Sequence, residues 1–239
     1  MKLLAVDTST HTEGVAALDG DTVRAAIHTT GPQTHAKRLM TAVDTALKLA
    51  NMTLDDFDGF AVTTGPGSFT GLRIGISAVK GFAVATAKPV AGVSTLEALA
   101  RQFPGFPGKI CPVLDARKGQ IYSALYQFGE KGDRRVLKSP CVVDPETWLQ
   151  SVDPPCLFVG DGLLVYRDLV TETLGDSAQF APPCLNSLNA CVIGQMGMKE
   201  ITLGNAVDVN RLSPQYIRKS DAEIKLEKAQ VGASNRQSS

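Results

Sequence analysis

The stretch Thr64-Gly65-Pro66-Gly67-Ser68-Phe69-Thr70-Gly71-Leu72-Arg73-Ile74-Gly75 has the residue types and spacing to hold an anion. Glycines on either side of Pro66 let the backbone turn sharply, through dihedral angles that other residues resist. Ser68 or Thr70 can then cap the helix that follows, leaving first-turn N–H groups pointed outward. An anion, or another chain's backbone, is stabilised at such a place. No Gly-Lys-Ser/Thr follows, so this is not a Walker loop, and it is not a G-x-G-x-x-G run behind a dinucleotide-type strand. The same residues also read as a plain strand-to-helix turn.

Asp7, in Val6-Asp7-Thr8, and Asp115, in Leu114-Asp115-Ala116, each end an apolar, strand-like run. Carboxylates so placed are what a phosphotransferase needs to hold hydrated magnesium. Yet Thr8-Ser9-Thr10 follows the first and Ala116-Arg117 the second, without the glycine that lets a phosphate approach the backbone. A complete nucleotide site of the chain's own is therefore not expected. The other reading is that both aspartates terminate strands and bond to nearby backbone. His11, His28 and His35 include no pair at i,i+4 on a helix, so no metal site is expected. His35 stands at a helix start, as a surface or capping residue with access to a shared pocket. Ser68 lies in no G-x-S-x-G elbow, and no residue is nominated as catalytic.

The elements that must position these groups follow from periodicity. Strands are expected at residues 2–7, 14–18 and 23–29, then a helix over 34–51 whose Leu39, Met40, Val43, Ala46, Leu47 and Ala50 keep three-and-four spacing. A strand at 59–64 feeds the glycine loop, and a long apolar helix runs to about residue 86. A strand at 89–93 and a helix opened by Ser94-Thr95-Leu96-Glu97 complete the half. The segment Phe103-Pro104-Gly105-Phe106-Pro107-Gly108 punctuates the chain and marks a boundary. Beyond it the order restarts: strands at 110–114, 120–128 and 135–143, a helix at 145–152, a strand at 157–159, a helix at 163–174, a strand at 179–181, and a helix at 187–201. The expected domains are thus residues 1–106 and a smaller 107–219, each βββαβαβα, with a polar tail at 220–239. In that tail Ser220-Asp221-Ala222-Glu223 suits a short helix start, before a composition typical of disorder.

The helix after the glycine loop carries small residues, Gly71, Gly75, Ala78, Gly81 and Ala85, at three-and-four spacing, which invites close approach by another element. Leu72, Ile76, Val79 and Phe82 make it apolar around much of its circumference, so it must be covered on more than one side. Either both covers are intrachain, or part of this surface, with Leu39 and Val43 of the first helix, is a subunit interface.

With 239 residues, the chain has ample length for real cores, and its 24 Lys plus Arg balance 24 Asp plus Glu. No global field draws it to nucleic acid or to an anionic membrane. Five dispersed cysteines with no C-x-x-C suggest reduced thiols in a cytoplasmic protein. The N-terminal apolar run ends at Asp7, too early for a signal peptide, and residues 72–87 are short for a membrane span.

Five motifs together resemble the TsaB (YeaZ) family: Val6-Asp7-Thr8-Ser9-Thr10; the run from Gly65 to Gly75; Gly92-Val93-Ser94-Thr95-Leu96-Glu97-Ala98-Leu99; Asp115-Ala116-Arg117 with Ile121-Tyr122; and Pro214-Gln215-Tyr216-Ile217-Arg218. The likeness spreads over about residues 2 to 219. It implies an α/β, actin-like/ASKHA (ribonuclease H-like) fold of two related domains. It also implies a non-catalytic subunit in bacterial synthesis of N6-threonylcarbamoyladenosine (t6A) at position 37 of tRNAs reading ANN codons. The partners so implied are the catalytic paralogue TsaD, which carries a metal-binding H-x-x-x-H that this chain lacks, and the ATPase TsaE. A homodimer when alone and tRNA contact through the complex are implied as well. The family's inter-subunit contact is a helix bundle from the first two helices, here placed at Leu39, Val43, Leu72, Ile76, Val79 and Phe82. No cofactor of its own is expected. An adenine nucleotide is implied at the complex interface, and Asp7, Gly67, Ser68 and Thr70 are the candidate anion or nucleotide contacts. The alternatives are an autonomous actin-like ATP-dependent phosphotransferase and an M22-type peptidase.

Overall fold

The computed structural model describes residues 1–31, 34–129 and 132–218. The polar tail expected at 220–239 lies outside the described residues.

In the first half, strands β1 (Lys2–Asp7), β2 (Thr12–Asp19) and β3 (Thr22–Thr30) form an antiparallel meander, followed by helix α1 (His35–Ala50). Strand β4 (Gly59–Gly65), helix α2 (Phe69–Thr86), strand β5 (Val90–Ser94) and helix α3 (Thr95–Arg101) follow. The second half repeats the order with β6 (Lys109–Arg117), β7 (Gln120–Phe128), β8 (Arg134–Val143), α4 (Pro145–Ser151), β9 (Cys156–Val159), α5 (Leu163–Leu174), β10 (Ala178–Phe180) and α6 (Ala190–Thr202). The sheets are ordered β3-β2-β1-β4-β5 and β8-β7-β6-β9-β10, so the two halves share one topology. In each, the central strand pairs antiparallel with one neighbour and parallel with the other.

Alternation along the central strands sorts side chains into three cores. Leu4 and Val6 of β1 face α1 and α2, while Leu3 and Ala5 face inward toward the other half. In β6, Ile110 and Leu114 join that same middle layer, and Cys111 and Val113 face α4 and α5. Helices α3 and α6 lie between the two sheets.

Two expectations need correction. The first concerns α6, which chain order assigned to the second domain, 107–219; it packs instead on β1, β2, β4 and β5 of the first sheet. The reason is steric. A Cβ on Gly194 would overlap Leu18, and one on Gly197 would overlap Ala61. These two glycines let the helix settle onto Ala5, Ala61 and Ala91. The chain then stays with the first half, through Val207 N–H to the Val90 carbonyl (2.8 Å) and Gln215 N–H to the Thr64 carbonyl (2.7 Å).

The second correction concerns the expected interface. Leu39, Val43, Leu72, Ile76, Val79 and Phe82 are all buried within this chain. Phe82, for example, packs its ring 5.9 Å from that of Phe60 on β4. The apolar arc of each helix covers the first sheet, and the outward sides carry other residues.

Candidate functional site: the cleft between the sheets

The ends of β1, β4 and β6 meet at a cleft of about 710 Å³. One wall is the glycine loop. Gly65 has φ +123°, a conformation that favours glycine, and the chain turns there into α2. Ser68 N–H donates to the Ser9 carbonyl at 2.7 Å, and the Ser68 hydroxyl accepts Gly71 N–H at 3.2 Å as the helix cap. Thr8 Oγ1 donates to the Gly71 carbonyl at 2.7 Å. A Cβ on Gly67 would overlap the Ser9 carbonyl, on Gly71 the Thr8 carbonyl, and on Gly75 the Thr8 hydroxyl. These three glycines thus press α2 against the turn after β1, which fixes the first turn of α2 at the cleft.

Asp7 sits beneath this contact, fully buried. Its Oδ1 accepts Ser9 N–H at 3.0 Å and the Thr63 hydroxyl at 2.7 Å, while Oδ2 has no partner. Burial pushes the Asp7 carboxyl above the ordinary range against those hydrogen bonds. Of the four expected contacts, Gly67, Ser68 and Thr70 line the cleft; Asp7 lies behind them and does not.

His35 lines the cleft too, with Nε2 2.8 Å from the Thr10 carbonyl and Nδ1 3.2 Å from Glu13 Oε2. The opposite wall comes from the second half. Asp115 Oδ1 accepts Arg117 N–H at 2.8 Å, and Oδ2 pairs with Arg117 Nη1 at 3.0 Å. Asp161 Oδ1 accepts Asp115 N–H at 3.3 Å, and burial pushes this carboxyl up as well. Arg117 reaches across to the His11 ring, and Arg218 Nη1 donates to the Ala116 carbonyl at 3.2 Å, so both tie one half to the other.

Sequence reasoning missed Ser9, Arg38, Lys118 and Asp161 as cleft residues. A signal existed for Asp161, which stands between Gly160 and Gly162 after a strand, much as Pro66 stands between Gly65 and Gly67. Arg38 had none, since a lone arginine on a helix usually faces solvent. Among the described residues no group of three or more His, Cys, Asp or Glu is placed to hold a metal ion, and no helix is long and apolar enough to cross a membrane.

Two sheets of identical topology about a central cleft define an actin-like (ASKHA) α/β protein. The ethanolamine utilization protein EutJ from Carboxydothermus hydrogenoformans shares this fold, with a TM-score of 0.55 at 12% identity over 82% of this chain and 90% of that one. Nearer likenesses fix the family. The family model described as "TsaD: tRNA N6-adenosine threonylcarbamoyltransferase" matches residues 29–226. The tRNA threonylcarbamoyladenosine biosynthesis protein TsaB of Bacillus subtilis is 34% identical, covering 94% of this chain and 97% of that protein. The structure of YeaZ from Pseudomonas aeruginosa matches with a TM-score of 0.74 at 29% identity, over 90% of this chain and 100% of that one. The chain belongs to the TsaB (YeaZ) family.

Proposed function

We propose that this chain is a non-catalytic subunit of the bacterial machinery that transfers a threonylcarbamoyl group to N6 of adenosine 37 in tRNAs reading ANN codons. It acts there as binding partner and activator of TsaD, with TsaE completing the assembly and tRNA engaged through the complex. Membership of a family whose curated relatives are named for threonylcarbamoyladenosine biosynthesis supports the pathway.

The observation that carries the subunit role is the outward side of α1 and α2. On α2, Val84 is 73% exposed on the same side as exposed Ser77, Gly81 and Ala85, and on α1 Met40 (54%) and Leu49 (68%) are exposed on opposite flanks of the buried arc. A Cβ on Gly81 would meet nothing within 4 Å, so the strip is open to close approach by another helix. Apolar and small side chains left outward on adjacent helices suit a helix-bundle contact. The same side serves self-pairing when TsaD is absent. An adenine nucleotide belongs to the joint between subunits, and the assembly works in the cytoplasm.

The test is reconstitution: the chain, TsaD and TsaE are combined with threonylcarbamoyl adenylate and a substrate tRNA, and modified adenosine is measured. No modification is expected from the chain alone, and full activity only from the mixture. Modification by the chain alone overturns the reading, as does ATP hydrolysis or casein cleavage by the chain alone, which favours the phosphotransferase or the peptidase alternative respectively.

A further inference from the structure

We infer that a second cavity, between α3, α6 and the end of β7, binds a free α-amino acid with an apolar side chain. It encloses about 270 Å³. Drug-sized ligands fill roughly 300–1,000 Å³, so the occupant here is more compact. The cavity shares no lining residue with the cleft. It lies toward the end of α6 where Thr202 meets Met1, at the start of β1, whereas the cleft lies at the other end of that strand.

Its walls are already fixed. Glu97 of α3 accepts Arg101 Nε at 2.9 Å on one oxygen and pairs with Arg134 through the other. The Arg101 guanidinium lies 5.0 Å from the centre of the Phe128 ring, and its Nη1 donates to the Gly132 carbonyl at 3.4 Å. These charges satisfy one another, so they frame the cavity without selecting its ligand. Pro104, Phe128, Val192 and Met196 supply an apolar seat, and the unbranched Met196 side chain adapts to branched or aromatic shapes.

Two charges in the lining are left to choose the occupant. Among the described residues Lys199 has no hydrogen-bond or ion-pair partner, and Glu200 has only the Asn205 side-chain amide, 2.9 Å from its Oε2. Consecutive residues on a helix point about 100° apart, so Lys199 and Glu200 do not neutralise each other, yet both border the cavity. Glu200 also stands in the last turn of α6, where the helix dipole disfavours an anion and a cation relieves it. An α-amino acid brings a carboxylate for Lys199, with Gln195 one turn away as a further donor, and an ammonium for Glu200. Its apolar side chain fills the seat. Three contacts of different kinds around one carbon discriminate the L from the D form.

Isothermal titration of the whole chain with L-leucine, D-leucine, glycine, leucinamide and N-acetylleucine tests this. L-leucine is expected to bind at millimolar concentration or below, and each analogue about tenfold more weakly, because each loses or misdirects one contact. Lys199→Ala and Glu200→Gln should each weaken L-leucine binding about tenfold. Their melting temperatures should stay near that of the wild type, since neither side chain belongs to the core. Three results overturn the proposal: no L-leucine binding at millimolar concentration, leucinamide or N-acetylleucine binding as tightly as L-leucine, or both variants binding like the wild type.

Discussion

His35 faces Glu13 across 3.2 Å while its other ring nitrogen is committed to the Thr10 carbonyl. A carbonyl only accepts, so Nε2 carries a proton, and Nδ1 is left opposite a carboxyl oxygen. The two side chains are therefore held together between β2 and the start of α1. The Glu13 side chain is fully buried, and its Oε1 has no other partner.

Removing one member of that pair strands the other. His35→Ala should cost about 3 kcal/mol. Glu13→Gln should cost less than about 1 kcal/mol, because the amide donates to Nδ1 of a neutral ring. Urea denaturation at neutral pH separates the two, and equal losses would show that the contact at Nδ1 does not depend on what Gln can still offer there.

Asp7 should make stability depend on pH in a particular direction. Burial holds its folded carboxyl above the ordinary value of 3.8, so the ionised form disfavours folding. The stability it contributes is fully present below 3.8 and is lost as pH rises through the folded value. Asp7→Asn keeps the Oδ1 acceptor for Ser9 N–H and Thr63 and removes the charge. Its melting temperature should gain on the wild type as pH rises from about 4 toward neutrality. Curves that run parallel over that range would show that the charge is not what burial opposes.

Glycines on α2 should divide by face. A Cβ on Gly71 would overlap the Thr8 carbonyl, and one on Gly81 would meet nothing within 4 Å. Gly71→Ala is therefore expected to destabilise by about 1–3 kcal/mol through overpacking at the turn after β1. Gly81→Ala should be neutral or stabilise by about 0.5–1 kcal/mol through helix propensity. Thermal denaturation of the two single variants checks the contrast.

The element order was legible because each half alternates cleanly between period-two and helical patterns; the segment 120–128 coincides with β7 and 163–174 with α5. The partner of α6 was not legible. The glycines that seat it on the first sheet, Gly194 and Gly197, look in the sequence like weak points of a helix, and only Ala5, Ala61 and Ala91 opposite give them meaning. The inward and outward sides of α2 were confused for a similar reason. Its apolar arc is wide, and a sequence does not say which part of such an arc the chain's own sheet will cover. At the cleft, the glycine loop announced itself, whereas Ser9 and Arg38 matter only through what surrounds them.

The two sides of α2 lead to the last prediction. Val79 is 0% exposed and Val84 is 73% exposed. Val79→Glu buries a charge with no partner among Val62, Phe60 and Phe82, and should unfold the chain or cost more than about 4 kcal/mol. Loss of partner binding by that variant says nothing about an interface. Val84→Glu leaves the core untouched and should hold stability within about 0.5 kcal/mol of the wild type. If the outer side meets TsaD, the same substitution desolvates a charge against an apolar partner and should weaken association at least tenfold. Gel filtration of each variant alone and with TsaD reads both quantities. A folded Val84→Glu variant that still co-elutes at wild-type affinity moves the contact off this helix, because no apolar interface absorbs an unpaired carboxylate at its centre without loss.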